Sequence, residues 1–142
     1  MSWVDQVTRF HRGVYRKTGG RVGAKLMGLE MALLSTTGRK SGQTRTLPLA
    51  CFRDGDDWIV VASNNGQDFN PAWWLNLLAD PRAIAQLGRE TRSVTAHEAQ
   101  GEERARLWPW LKQQNPAYVR YEQKTERVIP VVVLRKVQAD RT

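Results

Sequence analysis

Apolar and polar positions follow two rhythms along this chain. Near the start, Trp3, Val4, Val7, Phe10 and Val14 recur at helical spacing, with Arg9, Arg12 and Arg16 largely off that stripe. The spacing predicts an amphipathic helix over about 3–17, stopped by Gly19-Gly20. From about residue 31 the rhythm shortens, and apolar runs at 31–36, 45–53 and 58–63 read as strands separated by turn chemistry. The Asp-Gly step within Arg53-Asp54-Gly55-Asp56-Asp57 is a hairpin signal, so these aspartates are turn formers rather than acid–base groups.

Asn70 followed by Pro71 supplies a helix cap and a first helical position, predicting a helix over about 71–79. Strands over 82–88 and 91–99 follow, joined by a tight turn near Gly88, with His97 as a surface strand residue. Gly101-Glu102-Glu103 opens a helix with acids at its N-terminus, which ends near Asn115. Pro116 restarts a short helix through Tyr118, Tyr121 and Lys124. The final strand, 128–134, is apolar on both faces, and a polar tail begins at Arg135. Strands outnumber helices and tight turns join them, which predicts a mainly antiparallel, barrel-like sheet with flanking helices (α+β) in one domain spanning 1–142.

Composition narrows the class. With 142 residues and 41% apolar content the chain can bury one core. It has no apolar run of membrane-spanning length, and its first residues lack the basic-then-apolar order of a secretion signal, so a cytoplasmic protein is expected. The single Cys51, with only His11 and His97, gives no expectation of a metal site. Net charge is +8, from 22 basic and 14 acidic residues. Residues 1–25 hold Arg9, Arg12, Arg16, Lys17, Arg21 and Lys25 against Asp5 alone. The cations of the first helix form either a solvated face or a peripheral contact with an anionic membrane.

The most informative polar stretch is Thr36-Thr37-Gly38-Arg39-Lys40-Ser41-Gly42-Gln43-Thr44-Arg45, a basic, hydroxyl-rich turn between two apolar runs. Its glycines let backbone N–H groups approach an anion and its cations supply countercharge. A nucleotide-triphosphate loop is excluded, because Arg39 separates Gly38 from Lys40 and a strand follows where a helix is needed. The dinucleotide fingerprint is absent. A solvated hairpin, a nucleic-acid surface and a site for a phosphorylated cofactor stay open on the residues alone. Nucleic acid is not the expected partner, since only Trp58 of the six tryptophans falls on a predicted strand, whereas Trp73, Trp74, Trp108 and Trp110 fall on helices.

Four segments in order carry a resemblance: Leu34 through Arg45, Val61-Ala62-Ser63-Asn64, Asn70 through Leu77, and Thr125 through Leu134. Together they resemble the deazaflavin-dependent nitroreductase family of actinobacteria, which uses coenzyme F420. The resemblance implies a split β-barrel related to FMN-binding proteins, and a coenzyme that joins an 8-hydroxy-5-deazaflavin to an anionic phospholactate and oligoglutamate tail. It implies that Arg39, Lys40 and Ser41, then Arg45, Thr46, Leu47, Pro48, Leu49 and Ala50, line the tail and ring. It further implies that Val61, Ala62, Ser63 and Asn64, with Ala72, Trp73, Trp74, Leu75 and Asn76, line the ring, and that Tyr118 closes the pocket.

The implied reaction is hydride transfer from reduced F420 to a small-molecule acceptor: a quinone, an activated enone or a nitroaromatic. Ser63 or Tyr118 would contact the developing oxyanion, with Tyr121 lining the same pocket. The alternative is a barrel that binds F420, another anionic cofactor or nucleic acid without catalysis. Asn64 stands where family members often carry lysine, and Thr44 at a frequent proline. Ala50 and Asn115 occupy positions where a nitro-drug-activating member has tyrosines, so nitroimidazole activation is not carried over to this chain.

Overall fold

The computed structural model describes residues 3, 4, 6, 7, 9, 10, 25, 26 and 28–137. Eight strands run in the order β1 (Lys25–Leu26), β2 (Leu29–Thr37), β3 (Thr44–Ala50), β4 (Phe52–Asp54), β5 (Asp57–Val61), β6 (Arg82–Leu87), β7 (Glu90–Glu98) and β8 (Val131–Lys136). Among the described residues three α-helices, α1 (Ala72–Ala79), α2 (Gly101–Gln114) and α3 (Ala117–Lys124), lie between strands. Every strand pairing is antiparallel, in the order β1-β2-β6-β7-β8-β5-β4, with β3 also on β2.

The apolar run predicted as one strand over 45–53 is two strands joined at Cys51. The first half pairs with β2, from Met31 with Ala50 to Thr37 with Thr44, and the second pairs with β5, with Phe52 opposite Ile59. Cys51 bridges them, its N–H donating to Glu30 O at 2.9 Å. One bent segment therefore touches both ends of the sheet and closes it into a barrel. A continuous apolar stretch gives no sign of such a bend.

Alternation sorts the side chains into two cores. Leu34, Trp58, Val60, Val132 and Leu134 point into the barrel, where Trp73, Trp74 and Leu77 of α1 join them. Ile59, Val61, Val131 and Val133 point outward under Leu107, Trp108 and Leu111 of α2 and Tyr118 of α3. Each fully buried aliphatic side chain contributes roughly 1.5–3 kcal/mol, so the two-faced closing strand anchors both layers.

Several local expectations are corrected. The closing strand starts at Val131 rather than 128 and continues through Arg135 and Lys136, which pair with Thr95 and Val94. His97 is a partly exposed strand residue, as expected, and its Nε2 also lies 2.9 Å from Glu103 Oε1 at the start of α2, so it ties strand to helix. The Asn70 cap is not made. Pro71 occupies the N-cap without a side-chain bond, and Asn70 Oδ1 accepts instead from Arg127 Nη1 at 2.9 Å. Of the predicted first helix, residues 3, 4, 6, 7, 9 and 10 are helical; 11–17 and the Gly19-Gly20 stop lie outside the described residues. Val7 is buried and Trp3 Nε1 donates to Thr44 Oγ1 at 2.6 Å, which sets this helix against the start of β3.

Candidate coenzyme site

The basic turn is the tip of the β2–β3 hairpin. Beyond the last pair, Thr37 with Thr44, Gly38 N–H donates to Gln43 O and Gly42 N–H to Gly38 O, both at 2.8 Å. Gly42 has φ +72°, which explains a glycine there, and Ser41 Oγ accepts from Gln43 N–H at 3.1 Å. This folds the turn tightly and leaves Arg39, Lys40 and Ser41 exposed at its tip.

Asn76, buried on α1, sets the direction of the tip. Its Oδ1 accepts from Arg39 N–H at 3.1 Å and Arg39 Nη1 at 3.0 Å, and its Nδ2 donates to Thr36 Oγ1 at 3.3 Å. Thr36 is fully buried, so the hairpin base and the helix share one polar cluster.

Between hairpin, helix and the loop after β5 lies a cavity of about 600 Å³. Arg39, Lys40, Ser41 and Arg45 of the hairpin line it together with Thr46, Leu47, Pro71, Ala72, Trp73 and Asn76, with Asn64 and Phe69 from the loop. None of the described residues lining it is acidic. A positive edge beside an apolar wall suits a ligand that is flat and apolar at one end and anionic at the other.

Ten of the residues singled out from sequence therefore meet at this cavity: Arg39, Lys40, Ser41, Arg45, Thr46, Leu47, Asn64, Ala72, Trp73 and Asn76. The others do not line it. Pro48 is exposed further along β3, Leu49 packs on the barrel core and Ala50 on the outer core. Val61 and Ala62 are buried in the outer and barrel cores, Trp74 sits in the barrel, and Leu75 and Ser63 are half-buried outside the lining. Tyr118 and Tyr121 belong to the outer core, where Tyr118 packs against Phe52, Trp108 and Tyr121 at ring-centroid distances of 6.1, 5.9 and 6.3 Å. Burial pushes the Tyr118 hydroxyl up to about 12, so it is neutral at ordinary pH.

Arg127 is a residue whose role the sequence did not reveal. Its Nη2 donates to Ser63 O at 2.8 Å and Ala62 O at 3.2 Å, and its Nε to Gln67 O at 2.8 Å. The only signal available was a cation ahead of an apolar strand, which ordinarily means a solvated strand end.

The family model described as F420H(2)-dependent quinone reductase matches residues 7–136. The chain belongs to this family. This reductase is 40% identical over 135 residues to an F420H(2)-dependent quinone reductase of Mycobacterium tuberculosis strain H37Rv, a match covering 92% of this chain and 91% of the relative. A putative F420H(2)-dependent quinone reductase of Mycobacterium bovis gives the same identity and coverage. The solved structure of an F420-H2 dependent reductase, FDR-A, aligns with a TM-score of 0.69 and 34% identity over 79% of the reductase and 99% of that chain. A FAD-binding protein of Mesorhizobium loti, at 13% identity and a TM-score of 0.53, shares the fold alone. The reductase is thus an oxidoreductase of split-barrel architecture that takes its hydride from reduced F420. The acid-free, cation-edged cavity fits that coenzyme's anionic tail and flat ring. Among the described residues no helix is long and apolar enough to cross a membrane.

Proposed function

We propose that the reductase passes hydride from F420 to a quinone, with the cavity between the β2–β3 hairpin and α1 as the coenzyme site. The supporting observation is the lining of that cavity: Arg39, Lys40 and Arg45 with no described acid, beside the apolar Leu47, Ala72 and Trp73. When bound, F420 supplies a two-electron hydride donor at C5 of its ring.

The chain's own residues then have mainly positioning work. Lys40 and Arg45 offer charge to the tail, and Arg39, aimed by Asn76, offers a planar fork of donors. Ser41 already accepts a bond within the turn, which leaves its O–H to donate to an anionic oxygen. Leu47 and Trp73 exclude water beside the ring, raising the strength of every polar contact there. Ser63, on the loop after β5, serves as a hydroxyl for an oxyanion developing on the acceptor, and Tyr118 and Tyr121 of the outer core serve as further hydroxyl donors. The acceptor range extends to activated enones and nitroaromatics under the same reading.

Val4 and Phe10 of the N-terminal helix are 40% and 54% exposed, which favours a peripheral contact with an anionic membrane where a quinone would be met. Co-sedimentation with anionic vesicles, compared with protein lacking the first 24 residues, tests that contact. For the main proposal, F420 fluorescence is titrated with protein, and reduced F420 is then oxidised with menadione, an enone and a nitroaromatic in parallel. Micromolar binding and fastest turnover with menadione are expected. Absence of a fluorescence change sinks the site, and turnover confined to the other acceptors sinks the quinone.

A further inference from the structure

We propose that Arg127 is a positioning residue for the coenzyme cavity, a clamp that holds the loop after β5 in a conformation it would not keep alone. This rests on the reading of that cavity as the F420 site. The loop enters the left-handed region at three consecutive residues, Asn64, Asn65 and Gly66, with φ of 47°, 56° and 78°. Asparagine tolerates this region better than other side chains, but as single residues; two in succession before a glycine persist only where the surroundings over-determine them. Gly66 also lies so close to α3 that an added Cβ would sit 3.0 Å from Tyr121 Cα.

The over-determination comes largely from one guanidinium. Arg127 donates to the backbone carbonyls of Ala62, Ser63 and Gln67 and to the side chain of Asn70, so its fork spans the loop from entry to exit. Thr125 adds a second tie, its Oγ1 donating to Asp68 Oδ1 at 2.9 Å while accepting from Arg127 N–H at 3.3 Å. Between these ties the loop presents Asn64 and Phe69 to the cavity wall. Asn64 Nδ2 is itself engaged by Gln67 Oε1 and Phe69 O, at 3.2 and 3.1 Å, so the loop's inner face is set before any ligand arrives. A lysine would deliver a single ammonium where the loop offers acceptors in three directions.

The test compares wild type with Arg127→Lys, Arg127→Ala and Asn70→Ala. Hydrogen exchange of residues 62–70 is measured without coenzyme, and F420 affinity, kcat and KM for reduced F420 are measured on the folded fraction. Both Arg127 variants are expected to raise exchange in that segment while the β4–β5 hairpin stays protected. They should weaken F420 binding by roughly ten- to a hundredfold, the scale of lost orientation, with KM rising more than kcat falls. Asn70→Ala should show a smaller change of the same sign. Wild-type F420 affinity in Arg127→Lys, with or without loosened exchange, overturns the proposal, and this variant judges it should Arg127→Ala fail to fold. The cavity reading is judged separately: if Lys40→Ala with Arg45→Ala leaves F420 affinity untouched, the site is elsewhere, while the exchange data still report on the clamp.

Discussion

Asn76 Oδ1 accepts two hydrogen bonds from Arg39, one from its backbone N–H and one from its guanidinium, so a buried helix residue fixes a cation on an exposed hairpin tip. The same amide holds the Thr36 hydroxyl. Replacing Asn76 with alanine leaves buried polar groups without partners. The variant is expected to lose about 1–3 kcal/mol of stability in thermal or urea unfolding. It should also bind F420 more weakly in a fluorescence titration, because Arg39 is released to solvent.

Lys40 and Arg45 are expected to act through charge. Each alanine variant should weaken F420 binding by roughly tenfold at low ionic strength, with a shallower salt dependence than wild type. Arg82, exposed and tied to Asp80 at 2.9 Å away from the cavity lining, serves as the control whose removal leaves affinity unchanged.

The parts legible in the sequence were those in which a local pattern had one spatial meaning. A basic, glycine-bearing turn between two apolar runs is a hairpin tip, and a strand apolar on both faces is covered on both faces, as Val132 and Val133 show from opposite cores. What escaped depended on partners distant in the chain. The bend at Cys51 exists because β2 and β5 each claim half of one apolar run. Asn70 resembled a cap because nothing nearby announces Arg127, and the segment around Tyr118 gives no sign that Phe52 and Trp108 pack against its ring.

Alkaline unfolding should report on Tyr118. Its folded pKa, near 12 against an ordinary 10.0, means the stabilisation is complete below pH 10 and is lost as pH rises towards 12. Tyr118→Phe should remove that loss, of about 3 kcal/mol in order of magnitude. Coenzyme affinity should stay within about twofold, because the ring does not line the cavity; unchanged turnover would remove the hydroxyl from the reaction.

Cys51 is 2% exposed, and burial pushes its thiol up to about 12. At pH 8 its thiolate fraction should be smaller than that of an ordinary cysteine by roughly a thousandfold. Reaction with a thiol reagent in the folded protein should therefore be slower than for an exposed cysteine, and addition of denaturant should restore it.

Gly66→Ala places a Cβ at positive φ and 3.0 Å from Tyr121 Cα, a backbone atom that cannot swing aside. A destabilisation of about 1–3 kcal/mol is expected. Circular dichroism melting checks the size of the effect, and wild-type stability would show that the loop and α3 can separate freely.

The hairpin tip lies beyond the last paired rung, Thr37 with Thr44, so residues can be gained or lost there without shifting any barrel strand. Descendants of this chain could therefore trade one charged appendage of their ligand for another while inheriting the barrel intact. At Lys40 and Ser41 selection on what is gripped acts apart from selection on what is folded, whereas Arg45, Leu47 and Trp73 answer to both.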